Sequence, residues 1–430
     1  MFIRQASSAM GLRFTATLCA SVVTLLGYSG LAAASDYYVN PNGVAQGNTF
    51  TNLQSAIDAA PAGTAGNPTR LILSPGMYNL QQITVPGDKP YLDIIGSGAG
   101  PSNTVIEYGL DANSVVNGTT VGTGGSSSFN LYANHFTATN VTFANSTPQP
   151  APGGATVQAL ALLSEGDEEA FANCNFIGFQ DTMYLANGRS YFNHCFINGT
   201  VDYVFGNGTA VFQNSTLNSA GNSGGGACVV TAANTAPTTA VGFVFLNSSL
   251  TGNPTPLSEG GNPAYQSGVP SGNAYLGRAW QYQTSNASVT YINTKMGAVI
   301  NGQGWTLFDS NEVPTKQNPR FSEFNSMDLS GNPLNISTRV TWSNQLLSTG
   351  SSNPLADASN YTLSHIFGPE SYWGTQYTAT FPLGGTWDPM AQLSTTEVPA
   401  PRTLPILLAG ALPVLLFRRC RTRTLPERSR

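Results

Sequence analysis

A short pattern recurs through the middle of this chain: an aromatic residue, any residue, a polar one, a small one, then an apolar one. Copies are Phe171-Ala172-Asn173-Cys174-Asn175-Phe176, Phe192-Asn193-His194-Cys195-Phe196-Ile197, Phe212-Gln213-Asn214-Ser215-Thr216-Leu217 and Phe245-Leu246-Asn247-Ser248-Ser249-Leu250. Looser copies lie at Thr139–Phe143 and Tyr291–Thr294. The polar positions 173, 194, 214 and 247 step by 21, 20 and 33 residues. With 46 Gly and only 9% charged residues, such a chain favours short strands and tight turns over long surface helices. One unit of this kind cannot bury its inner face alone, so units stack. The pattern therefore predicts an all-β fold, a right-handed parallel β-helix, with equivalent residues laddered about 4.8 Å apart. A β-sandwich would space its strands similarly, but gives no reason for the same residue types to recur in register.

A short helix is expected at Asn52–Ala60, where Leu53, Ala56, Ile57 and Ala60 share one face and Pro61 follows. It would cap the open end of the solenoid, whose strand edges are otherwise exposed.

The ends differ in kind from the middle. Residues 1–34 read as a signal peptide: Arg4 and Arg13, the apolar run Phe14–Leu26, then Ala32-Ala33-Ala34. An uncleaved anchor is the alternative. At the other end, Val398-Pro399-Ala400-Pro401 precedes the apolar run Leu404–Phe417 and an Arg-rich tail. At 14 residues with two prolines, that run is short against the roughly 20 a spanning helix needs. The expected domains are therefore 1–34 signal peptide, 35–373 β-helix, 374–397 linker and 398–430 sorting or anchor segment. Without residues 1–34 and 398–430, eight basic and 21 acidic residues remain, a body near −13. That balance argues against a nucleic-acid partner, since phosphate binding needs a basic surface. The five Cys show no metal-ligand spacing, and three His leave little material for a His-based site. No cofactor or metal is expected.

The repeat also places chemistry. Asp181 and Asp202 are 21 residues apart, the offset of Phe171/Phe192 and Gly178/Gly199. They should sit on adjacent coils, facing the same way. Gln158 lies 22 residues before Gln180 and should sit one coil earlier on that face. Two close carboxyls cannot both ionise easily, so one becomes an acid and the other a base or nucleophile. Two glutamine amides would supply donors to a developing oxyanion. The same spacing is equally met by aspartates that merely cap turns on a polar surface.

The sequence around these residues resembles the pectin methylesterase family. Gly178-Phe179-Gln180-Asp181-Thr182-Met183-Tyr184, Gly199-Thr200-Val201-Asp202-Tyr203-Val204-Phe205-Gly206-Asn207, Gln158-Ala159-Leu160-Ala161-Leu162 and Tyr275-Leu276-Gly277-Arg278-Ala279-Trp280 match four of its blocks in order. The resemblance implies a monomeric esterase acting on methyl-esterified pectin. In it, Asp202 is the nucleophile, Asp181 the general acid and base, Gln158 and Gln180 the oxyanion donors, and Arg278 holds Asp202 ionised. It implies Trp280 as part of a sugar-binding cleft, with Phe205, Phe179 and Tyr184 as substrate-binding aromatics that either stack on sugars or simply pack. Ala279 departs from the family's usual proline and puts the rigidity of Arg278 in question. Cys174 and Cys195 would be ladder neighbours, as a disulfide or as stacked thiols, with Cys228 buried and unpaired. The C-terminal segment resembles the PEP-CTERM tails read by exosortases of Gram-negative bacteria, with Ala400 where that motif usually has Glu. It implies secretion or surface display. Another pectin-active β-helix enzyme and a non-catalytic adhesion protein are the alternatives; the five polar residues occurring together favour the esterase.

Overall fold

The computed structural model describes residues 36–147, 156–221, 226–253 and 269–394. The expected signal peptide, the expected sorting tail and most of the Gly/Pro-rich stretch 251–273 lie outside these residues.

Three parallel sheets, with 12, 7 and 8 strands among the described residues, run the length of the chain. Each full coil gives one strand to each sheet, and every rung pairs with its equivalent in the next coil. In one coil Met183–Leu185 enters the seven-stranded sheet, Arg189–Asn193 the twelve-stranded and Phe196–Gly199 the eight-stranded. The fold is the expected right-handed parallel β-helix.

The repeat maps onto the register. Phe171, Phe192, Phe212, Phe245 and Tyr291 are paired rung to rung. Their rings stack inside the solenoid at centroid spacings of 4.9, 4.6, 4.9 and 4.5 Å. The polar position of the repeat is the corner that follows. Asn140, Asn173, His194, Asn214, Asn247 and Asn293 all have φ between 50° and 61°. Asparagine tolerates this left-handed conformation better than most side chains, which explains its recurrence. Its amide also bonds along the ladder, as from Asn173 Nδ2 to Asn140 Oδ1 at 3.0 Å. Cys174 and Cys195 follow in the core as buried free thiols; they are not bonded.

The helix forms at Leu53–Ala59, with Asn52 as its N-cap accepting from the Ser55 amide at 2.9 Å. It buries Leu53, Ala56 and Ile57 and closes the first coils against the strands Asp36–Val39 and Ile83–Val85.

The outer faces of the sheets are treated differently. That of the twelve-stranded sheet is apolar (Ala170, Tyr191, Val211, Val244) and is covered by Tyr361, Phe367, Trp373, Tyr377 and Trp387. The segment expected as a linker is thus, as far as Ser394, packed on the solenoid. Trp387 is buried, and Leu383 N–H donates to Asp167 Oδ2 at 3.0 Å. The segment's aromatics Tyr377 and Trp387 join the apolar cluster on the sheet. The seven-stranded sheet instead keeps part of its outer face open, and there the functional residues gather.

Candidate active site

A cleft of about 350 Å³ lies on the outer face of the seven-stranded sheet. Gln158, Gln180, Asp181, Tyr184, Asp202, Phe205, Arg278 and Trp280 line it, together with Thr123, Ala232 and Phe308. Eight of the nine residues picked from sequence therefore come together. Phe179 does not: its side chain is buried and lies outside the cleft lining. Its carbonyl instead helps shape the corner, accepting from the Thr182 hydroxyl and the Thr200 amide.

The two aspartates arrive as the 21-residue offset predicts. Met183 pairs with Val204 and Tyr184 with Phe205 in the sheet that follows each corner. Asp181 and Asp202 occupy equivalent corners, with φ of 62° and 51°. Aspartate, like asparagine, tolerates this region. The Asp181 amide donates to Val201 O at 2.9 Å, which stacks one corner on the next. Gly206 just beyond, at φ 125°, carries the chain over Leu185, where an added Cβ would fall 2.1 Å from the Leu185 carbonyl oxygen. The block therefore needs glycine there.

Arg278 reaches the same place from a later coil. Tyr184, Phe205, Ala232 and Arg278 form one rung across four strands. Ala232 is the small member, and over it the guanidinium extends back to Asp202. Arg278 Nε donates to Asp202 Oδ1 at 2.8 Å and Nη2 to Oδ2 at 2.6 Å. This two-pronged pair fixes the carboxylate in orientation as well as charge. The Phe308 ring lies over the guanidinium, 4.3 Å from its centroid. Ala279, where flexibility was in question, is buried, and the Arg278 geometry is intact.

The carboxyls are electrostatically unlike. Burial holds Asp181 well above the usual carboxylate range, and the charge of Asp202 adds to this against the pull of Arg278. Asp202 is also raised by burial, but Arg278 opposes the rise with hydrogen bonds and charge. The resemblance implies that Arg278 lowers the Asp202 pKa; that pull is present, but burial outweighs it. The larger rise falls on Asp181, whose carboxyl has no hydrogen-bond partner among the described residues. One proton shared by the pair therefore belongs on Asp181.

Aromatics wall the cleft. Tyr184 stacks on Phe205 at 4.4 Å, and Trp280 meets both edge-on at 6.1 and 5.6 Å. Phe308, in a loop, and Thr123, in the short helix Gly122–Gly125, escaped the sequence reading because both lie outside the repeat. Among the described residues, no three His, Cys, Asp or Glu side chains converge as a metal site.

An ionisable acid, an arginine-held carboxylate and two amides on one open face suit acyl transfer. Comparison with known proteins agrees. The pectinesterase family model matches residues 39–368. Pectinesterase 31 of Arabidopsis thaliana is 31% identical over 69% of this chain and 84% of its own length. Two longer relatives from the same plant are covered over only 64% and 60% of theirs. Pectin methylesterase PemA from Erwinia chrysanthemi superposes with a TM-score of 0.60 at 27% identity, covering 80% of this chain and 98% of that one. A pectin methylesterase crystallised with a hexasaccharide superposes at 0.62 and 26% identity, over 78% and 98%. A corner-borne aspartate pair, the arginine that grips one of them and these matches lead to one conclusion: the chain belongs to the pectinesterase family.

Proposed function

We propose that this protein hydrolyses galacturonate methyl esters in pectin, releasing methanol and leaving polygalacturonate, with Asp202 as nucleophile and Asp181 as general acid and base. The observation that carries the assignment is the asymmetry of the pair: Asp202 is gripped by Arg278, while Asp181 is buried beside it without a cation of its own.

In the first half-reaction an ionised Asp202 oxygen attacks the ester carbonyl carbon. The carbonyl electrons move onto oxygen, and the amides of Gln158 and Gln180 donate to that oxyanion. Collapse breaks the bond to the methoxy oxygen, which takes the Asp181 proton and leaves as methanol. The substrate acyl group is now joined to Asp202 as an anhydride. In the second half Asp181, now ionised, takes a proton from water as the water oxygen attacks the substrate acyl carbon. Asp202 departs as a carboxylate and Asp181 is again protonated. Arg278 neutralises Asp202 before attack and on departure. Tyr184, Phe205 and Trp280 offer apolar faces to sugar rings.

The test is methanol release from methylated pectin, run beside assays for new reducing ends and for unsaturated products. Methanol alone supports the esterase; chain cleavage would mark a glycosidase or lyase.

The terminal segments complete the proposal. An N-terminal signal peptide and a PEP-CTERM-like tail would export the protein to the surface or exterior of a Gram-negative bacterium, with exosortase-type machinery as its processing partner. At its substrate the enzyme would act as a monomer.

A further inference from the structure

The two cleft glutamines differ in how they are held. Among the described residues, the Gln158 side chain has no hydrogen-bond partner. The Gln180 side chain has one: the Thr156 hydroxyl donates to Gln180 Oε1 at 2.5 Å. Thr156 sits one coil before Gln180, and the coils are tied beside it by the Ala159 amide donating to Gln180 O at 3.2 Å.

This contact bears on chemistry because a carboxamide has two ends of nearly the same shape and opposite charge. Only the NH2 end stabilises a developing oxyanion; the carbonyl end would repel it. In this arrangement the hydroxyl donates and Oε1 accepts. It leaves Nε2 on the other side of the amide, and Gln180 lines the cleft. A threonine hydroxyl suits the task because its γ-methyl restricts χ1 and so limits where the hydroxyl can point.

We propose that Thr156 is a positioning residue for the esterase reaction: its hydroxyl locks the Gln180 amide with the NH2 group toward the reacting carbonyl. This rests on the pectinesterase reading of the site. Thr156 does not itself touch the reacting atoms. Its effect appears only where negative charge develops, so it acts on kcat and leaves ground-state binding of the polysaccharide alone.

The experiment compares Thr156→Val, which keeps the shape and removes the hydroxyl, with Thr156→Ser, which keeps the hydroxyl, both by methanol release from pectin. Thr156→Val is expected to lower kcat about tenfold with KM unchanged. That is short of the roughly 10²–10³-fold cost of deleting an oxyanion donor outright. Thr156→Ser should recover most of the loss. In a Gln180→Ala background, Thr156→Val should cost nothing further, because its only target is gone. A wild-type kcat in Thr156→Val would overturn the proposal, and so would a full loss again in the Gln180→Ala background or a change confined to KM. None of these results touches the esterase reading, which stands or falls on methanol release by the unaltered enzyme.

Discussion

Two arginine–carboxylate pairs sit on different walls of this solenoid, built from similar chemistry and left in different states. On the covered wall, Arg189 and Asp167 are both fully buried. Arg189 Nε and Nη2 grip Asp167 at 2.9 and 2.8 Å, and Nη2 also reaches Glu168 at 2.7 Å. Nη1 donates to the carbonyls of Phe367 and Gly385, and Nη2 also lies 3.3 Å from Gly384 O. Every donor is used, and the result is a clasp holding the C-terminal segment to the sheet. On the open wall, Arg278 grips Asp202 as closely, but its other donors find no partner among the described residues, and an unpaired Asp181 lies beside it. The Arg278 side chain is 21% exposed, so its spare donors are left to solvent and substrate rather than sealed inside. Incomplete satisfaction, rather than charge itself, separates the reactive wall from the structural one.

Substitutions can break this comparison, and the carboxylates give the largest contrast. Asp202→Asn should lower methanol release by at least about 10³-fold while thermal unfolding stays near wild type. Asp167→Asn should do the reverse. Breaking a buried pair costs about 3–5 kcal/mol, so the unfolding midpoint should drop sharply while the protein that remains folded keeps its turnover. Equal loss of turnover in both would erase the distinction.

The arginines come next. Arg278→Lys removes the two-pronged grip but keeps a charge, and kcat should fall roughly 10- to 100-fold, as losses of orienting partners do. Arg189→Lys should appear in denaturant titrations and not in kcat.

Turnover should rise and then fall with pH. Asp202 must be ionised, and burial raises its pKa, so activity is lost as pH falls through a value above the ordinary aspartate pKa of about 3.9. Asp181 must be protonated for the first step, and its pKa is raised further, so activity is lost again as pH rises through that higher value. Weakening the Arg278 grip should move the acid limb to higher pH. A rate still climbing below about pH 4 would contradict the assignment.

The smallest expected effect is at Phe308. Removing the ring over Arg278 forfeits a cation–π contact of about 0.5–1 kcal/mol, so Phe308→Ala should cost about two- to fivefold in kcat/KM. An unchanged value would show that the ring only covers the guanidinium.

How much of this was legible in the sequence follows the same division. The aromatic stack, the asparagine corners and the aspartate pair lie inside the repeat, where position alone sets neighbours and facing. The grip of Arg278 on Asp202 also came through, but only by family resemblance, because the two are 76 residues apart. Phe308 and Thr156 were not legible, since each reaches the site from a segment with no periodic signal. Phe179 was misplaced because the resemblance alone put it in the cleft, while at the corner its side chain is buried outside the cleft lining. The clasp was missed too, because its arginine meets main-chain carbonyls nearly 200 residues away, and carbonyls carry no sequence signature.

The division of labour between Asp181 and Asp202 can be watched directly with a leaving group that needs no proton. On a 4-nitrophenyl ester of a galacturonate oligomer, rapid mixing should show Asp181→Asn release about one equivalent of 4-nitrophenolate and then stall, the acyl group held on Asp202 for want of a base. Asp202→Asn should show no burst. A burst from Asp202→Asn, or none from Asp181→Asn, would contradict the roles given to the two carboxyls.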